Sequence, residues 1–224
     1  FFFYSFTMGC CCRCFWIASA VLVVIIAVLF GIDSQKEKFY VFDQDVLQEI
    51  AIDAINNTSS TQEMFSKIAN ELARRYPGHV ETDQEWVFNN AGGAMGAMWV
   101  LHSSITEYVI IFGTTIGTEG HTGRFYADDY FTILEGEQWS YTEGATEKEV
   151  FLPGDQHHLP RGQAKQYKMP ERCFALEYAR GIIPFMLPFG VIDTFTSTLD
   201  FVSLYRTFVI YARHCVRELL LGKL

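Results

Sequence analysis

The chain has 224 residues, half of them apolar and 16% aromatic (20 Phe, 11 Tyr and 4 Trp), with only 19% charged and a formal net charge of −9. Such a composition excludes a disordered polymer and argues against a nucleic-acid binder, which carries a basic face. With a mean hydropathy of +0.11, the chain reads as one domain, with or without a membrane element, that meets lipid or an apolar ligand.

Residues 1–13 read as an N-terminal tail. Because the chain opens at Phe1 without Met, residues ahead of it are expected. Cys10, Cys11, Cys12 and Cys14 cluster here, while Cys173 and Cys215 stand apart. That spacing supports neither a zinc site nor a disulfide framework. The thiols read as core or lipid-facing, and a cluster beside a span is also open to S-acylation.

Residues 14–32, CFWIASAVLVVIIAVLFGI, hold no charge. As a helix they reach about 28 Å, close to the roughly 30 Å of a bilayer core. A cleaved signal peptide has a shorter apolar region and a small-residue cleavage site, so a retained single span is expected. Arg13 on one side and Lys36 and Lys38 on the other leave its orientation open.

Residues 33–80 read as a helical segment flanking the domain core. Asp43 caps a helix running to about Ile55, and Ser60 with Glu63 forms a capping-box pattern ahead of Phe65, Ile68, Leu72 and Tyr76. Pro77-Gly78 stops the second helix. Two overlapping sequons, Asn56-Asn57-Thr58 and Asn57-Thr58-Ser59, follow the span; sugar on either would place the domain in the lumen.

Residues 81–181 change texture. Short aromatic and β-branched runs alternate with glycine turns: Trp86–Phe88, Met98–His102, Tyr108–Phe112, Phe125–Leu134, Glu149–Leu152, Ala164–Tyr167 and Cys173–Tyr178. This is the pattern of a sandwich or barrel. Residues 182–224 return to helix. Ile182–Phe195 is apolar with Pro184 and Pro188, and Ser197 with Asp200 caps a helix from about Leu199 to Leu221. Its polar residues Ser203, Arg206, Arg213 and Arg217 make one narrow stripe in an otherwise apolar helix. Such a helix lies in a membrane interface or is buried. The fold class is therefore α+β.

Three motifs bear on chemistry. The glycines of Gly92-Gly93-Ala94-Met95-Gly96 lack the following Lys-Ser/Thr and helix of a phosphate cradle, and read as turns. Pro153-Gly154-Asp155-Gln156-His157-His158 resembles the turn of metal-binding cupins, but the chain has no His-x-His, so no metal is expected. His102 and His121 stand alone. The third motif is acid inside apolar strands: Glu177, the pair Asp128-Asp129, and Glu107. A buried carboxyl needs a partner or is neutralised by a raised pKa. Two such groups in an aromatic pocket, one protonated and one charged, suit proton transfer at carbon. They suit a receptor for lipophilic amines equally well.

Trp86–Met98, Glu107–Gly113, Gly117–Gly123, Ala127–Leu134 and the stretch from Phe174-Ala-Leu-Glu-Tyr178 to Asp193-Thr-Phe closely resemble the fungal C-8 sterol isomerases, which share a family with the animal sigma-1 receptor. The likeness runs from about Phe42 to the C-terminus. It implies an N-terminal transmembrane helix, a cupin-like β-barrel at 81–181, and two C-terminal membrane-associated amphipathic helices. It further implies a single-pass protein of the endoplasmic-reticulum membrane, a homotrimer, a sterol substrate, amine inhibitors and no cofactor. The implied reaction moves the B-ring double bond from C8–C9 to C7–C8 through protonation at C9, a cation at C8 and loss of a C7 proton, as a step towards ergosterol. A non-enzymatic binder of amines or sterols is the alternative.

Carried over by the same resemblance, the receptor's ligand-binding glutamate falls on Glu177, and a Glu-Tyr pair on Glu107 and Tyr108. The receptor's second pocket acid falls on Phe131, where this chain departs from the pattern. Asp129, two residues away on the same strand face, is the expected replacement, with Asp128 second. Trp99, Tyr108, Tyr126 and Phe131 are expected to line the site and steady a cation. His102 and His121 are candidate proton relays.

Overall fold

The uncharged run near the start forms α1, Phe2–Gln35. The structure is a computed structural model describing residues 2–223. The stretch Phe15–Gln35 has a hydropathy of 2.8 over its most apolar window and is long and apolar enough to cross a bilayer. The side chains of Cys10, Cys11, Cys12 and Cys14, and the acylation expectation with them, lie outside the described ones. Residues to Lys38 form one compact unit and those from Phe39 a second.

The second unit opens with two amphipathic helices. α2, Gln44–Asn56, is capped by Asp43, whose carboxylate accepts the N–H groups of Asp45 and Val46. α3, Thr61–Arg75, is capped by Ser60, whose Oγ accepts Glu63 N–H. The Glu63 carboxylate turns back to Ser59, accepting its N–H and Oγ–H at 2.9 and 2.8 Å, so the box closes one residue early. Asp43→Ala is expected to cost about 1 kcal/mol. A fall of a few degrees in the thermal midpoint, followed by circular dichroism, is the readout.

Ten strands follow: β1 Trp86–Ala91, β2 Ala94–Ser103, β3 Glu107–Thr114, β4 Thr118–His121, β5 Ala127–Glu135, β6 Gln138–Tyr141, β7 Glu149–Phe151, β8 Gln156–Leu159, β9 Gln166–Met169 and β10 Cys173–Gly181. They pair antiparallel into a six-stranded sheet, β1-β2-β3-β10-β5-β8, and a four-stranded sheet, β4-β9-β6-β7. Strands β4, β6 and β8 are absent from the expected set. They are four-residue, largely polar segments (TEGH, QWSY, QHHL) in which no apolar alternation shows. The hairpin between β1 and β2 turns on Gly92-Gly93, with φ of +64° and +83°. A two-residue turn of that hand needs positive φ at both positions.

Alternation along the large sheet divides its side chains into two cores. Trp99, Leu101, Val109, Ile111, Leu134, Leu176 and Tyr178 pack with Leu47, Ile50, Phe65, Ile68 and Leu72 of α2 and α3. Met98, Val100, Ile110, Phe112, Ile133, Ala175 and Ala179 form a second cluster on the other face, joined by Ile183 and Ile210.

After β10 the prolines limit the chain to short helical pieces, among them α4, Leu187–Asp193. A turn of π-helix at Thr194–Thr198 ends at Leu199, the one described non-glycine residue with positive φ, at 53°. α5, Phe201–Leu220, is capped by Asp200, which accepts Ser203 N–H at 3.0 Å; the Ser197 cap expected from sequence is not made. Its arginines, half-exposed, reach back to the segment ahead of β1 and to its first residue. Arg206 donates to Trp86 O, Arg213 pairs with Glu85, and Arg217 reaches Gly78 O, Val80 O and Glu81. Val202, Tyr205 and Leu220 are 72%, 69% and 84% exposed. The helix thus presents apolar residues to its surroundings, while its arginines bond to residues 78–86 on one side.

Candidate functional site

The second cluster does not close completely. Between the inner face of the large sheet, the small sheet and the C-terminal helices lies a cavity of about 440 Å³, within the usual range of ~300–1,000 Å³ for small-molecule sites. Its walls are apolar and aromatic, including Met98, Ile110, Phe112, Phe131 and Phe189, with Ser203, Thr207 and Tyr211 entering from one face of α5.

Two carboxyls face this apolar space. In the β10–β5 register Glu177 lies opposite Phe131, and Asp129 opposite Ala179. The acids are therefore diagonal neighbours on one face, with Cα atoms about 7–8 Å apart. Asp129 is 6% exposed and Glu177 8%. Tyr108 of β3 reaches across and donates a short hydrogen bond to Glu177 Oε1. Oδ1 of Asp129 is buried without a partner.

These surroundings separate the two groups. Burial, then the nearby charge of Glu177, pushes Asp129 well above the ordinary aspartate range. Burial also raises Glu177, but the Tyr108 hydroxyl opposes it by bonding the anion, and the result is about 7. Tyr108, raised far above 10 chiefly by burial and next by Glu177, remains a donor. One acid thus holds its proton near neutral pH while its neighbour ionises more readily. That is the arrangement of a general acid and a general base.

Of the residues singled out from sequence, Glu177, Asp129, Tyr108, Phe131 and His121 line the cavity. His121 Nδ1 is occupied locally by Gly123 N–H at 2.8 Å, which leaves that nitrogen no part in a relay. The other five are corrected by their placement. Asp128, one residue from Asp129, points to the opposite face and pairs with His158 at 3.2 Å. Glu107 likewise points away from Tyr108. It accepts Val41 N–H, Phe42 N–H, the Tyr178 hydroxyl and the Lys223 ammonium. Trp99 sits in the helix-facing core and donates to Asp83 O. A register shift between Val100 and His102 turns His102 to that same face, where Nδ1 donates to His79 O. Tyr126 is 61% exposed, beneath the Arg161 guanidinium.

Sequence reasoning missed Gln138, His157 and Tyr167, which also line the cavity. Each lies on a short strand of weak pattern. His157 and His158 point to opposite faces of β8. Among the described residues no three His, Cys, Asp or Glu side chains converge on a point.

The profile described as ERG2 and Sigma1 receptor like protein matches residues 19–223. The chain is 52% identical to C-8 sterol isomerase erg2 of Aspergillus fumigatus, over 96% of this chain and 92% of that protein. It is 53% identical to C-8 sterol isomerase of Pyricularia oryzae, over 91% and 94%. It is also 42% identical to Sigma non-opioid intracellular receptor 1 of the newt Taricha granulosa, over 89% and 88%. Among solved structures, an RmlC-like cupin from Shewanella frigidimarina overlaps 44% of this chain and 85% of its own at 16% identity, with a TM-score of 0.38. That overlap is too loose to assign anything.

Proposed function

We propose, for a chain that belongs to the ERG2 and Sigma1 receptor like protein family, that the cavity isomerises a sterol double bond from C8–C9 to C7–C8. The observation that carries this reading is the diagonal pair Asp129 and Glu177, held on one face of an apolar cavity with their pKa values pushed apart. Asp129, kept protonated, donates to C9 and leaves a tertiary cation at C8. Ionised Glu177 stabilises that cation and takes a proton from C7, whose C–H electrons become the new C7=C8 bond. A proton passing from Glu177 to Asp129 resets the pair. The faces of Phe131 and Tyr108 steady the positive charge. No cofactor enters the scheme.

Amines that imitate the cation would pair with Glu177 by the same electrostatics. The 42% identity to a sigma receptor supports a second reading, a binder of amines or sterols without catalysis. Turnover separates the two. Asp129→Asn keeps the shape of the side chain but cannot act as an acid. It is expected to lose ~10²–10⁴-fold in conversion of a Δ8 sterol and to keep its affinity for an amine. Activity like that of the unaltered protein would remove Asp129 from the mechanism.

Placement in the endoplasmic-reticulum membrane follows the same reading. It is supported by the apolar stretch Phe15–Gln35 and by the exposed side chains of α5, which suit a lipid surface. The homotrimer belongs to the family resemblance and is tested by sedimentation in detergent.

A further inference from the structure

Four buried side-chain atoms among the described residues have no hydrogen-bond partner: Asn90 Nδ2, Asp129 Oδ1, Trp139 Nε1 and His157 Nε2. Asp129 belongs to the acid–base pair, Trp139 lies outside the cavity lining and Asn90 is half-buried. His157 remains. It lines the cavity, is 4% exposed and takes no part in the reaction scheme.

Its surroundings fix its chemistry. Gln138 Oε1 can only accept, so Nδ1–H of His157 donates to it, at 3.3 Å. The ring stacks on Phe151 at 4.4 Å between centroids. Burial, and next the Lys165 charge, pull its pKa down to about 4, so the imidazole is neutral. With the proton on Nδ1, Nε2 carries a free lone pair. A buried acceptor left unpaired is destabilising, and a ligand hydroxyl would satisfy it.

Its place relative to the acids is set by register. On β8, His157 lies opposite Phe131 and Leu159 opposite Asp129. On the other side of β5, Glu177 also lies opposite Phe131. Glu177, Phe131 and His157 thus form a row across three adjacent strands, with outer Cα atoms roughly 10 Å apart. Asp129 is diagonal to both. A sterol whose B ring lies between the carboxyls carries its 3-hydroxyl on the far side of the adjoining ring. The hydroxyl is therefore displaced from the reacting carbons by one ring, and His157 lies one strand from Asp129 and two from Glu177, on the Asp129 side of the pair.

We propose that His157, oriented by Gln138, is the specificity-determining contact for the 3-hydroxyl of the sterol, with Nε2 accepting its proton in a hydrogen bond. The proposal rests on the sterol-isomerase reading and adds what that reading leaves open, namely how the ring system is held in register with the two acids. It makes the free hydroxyl the group that is recognised; a 3-O-methyl ether has no proton to give.

The test uses the full chain in detergent and a tritiated Δ8 sterol with a free 3-hydroxyl. The unlabelled sterol and its 3-O-methyl ether serve as competitors, and conversion is assayed in parallel. The intact protein should favour the hydroxyl compound about tenfold. His157→Phe, which keeps an aromatic ring against Phe151, should bring that ratio close to one. Its KM for the hydroxyl sterol should rise about tenfold and its kcat change only a few-fold. If His157→Phe does not fold, His157→Leu carries the same expectation. Equal affinity of the intact protein for both competitors, or an undiminished ratio in a folded variant, overturns the proposal. Conversion of both sterols at equal efficiency overturns it and leaves the isomerase reading standing. Hydroxyl-selective binding with no conversion does the reverse. Failure of the intact protein to bind any sterol overturns both.

Discussion

Glu177→Gln is expected to abolish conversion of a Δ8 sterol and, above pH 7, to make the folded protein more stable. The loss of activity follows from removing the base; the gain in stability follows from linkage. Glu177 has a folded pKa of about 7 against an ordinary 4.5. Below pH 4.5 the carboxyl is protonated in both states and costs nothing. As pH rises through that window the unfolded chain releases the proton while the folded one retains it. The unfolded state is favoured by about 1.4 kcal/mol per pH unit, accumulating to roughly 3 kcal/mol by pH 7 and then levelling off. Glutamine cannot ionise, and its amide oxygen still accepts the Tyr108 hydroxyl. The thermal midpoints of the two proteins should coincide near pH 4.5 and separate by several degrees at pH 7.5, the variant being higher. A gap that is constant across this range contradicts the assignment.

Glu107→Ala is expected to do the opposite, destabilising the protein by about 3–5 kcal/mol. The Glu107 carboxylate is fully buried, and the Lys223 ammonium that pairs with it is nearly so. The same carboxylate accepts Val41 N–H at 2.6 Å, the Phe42 N–H and the Tyr178 hydroxyl. It therefore ties the segment before α2, strand β10 and the end of the chain to the start of β3. Alanine leaves a buried cation unpaired and backbone donors unsatisfied. Adding Lys223→Met to Glu107→Ala removes the stranded charge, so the double variant should recover part of the loss, a coupling that a double-mutant cycle measures. The thermal midpoint of Glu107→Ala should fall by about 10 °C. A change below about 1 kcal/mol would show that the buried pair is not what holds these segments.

Much of the proposed acid–base pair was legible in the sequence, because a carboxyl in an apolar strand is conspicuous and period-two alternation assigns its face. Asp129 and Phe131 share a face by that rule, and Asp128 is sent to the other. The same rule, applied to Glu107-Tyr108, shows that adjacent residues cannot both enter one cavity. Tyr108 is the one of the two that enters. His102 could not be placed in this way, because the register shift after Val100 changes the parity and leaves no mark in the residues. His157 was hidden for a different reason: Gln-His-His-Leu shows no strand pattern, and only pairing with β5 turns His157 inward. The polar stripe of α5 was readable as a stripe. That Arg206, Arg213 and Arg217 face Glu81, Glu85 and backbone carbonyls required the three-dimensional placement of residues 78–86.

In the proposed mechanism two neighbouring carboxyls in one apolar cavity hold opposite protonation states, with Asp129 supplying the proton that starts the reaction. Infrared spectroscopy of the full chain at pH 8 reads this directly through the stretching band of the protonated carboxylic acid. This band is expected to be lost in Asp129→Asn and kept in Glu177→Gln. A band that survives Asp129→Asn, or disappears in Glu177→Gln, would contradict it.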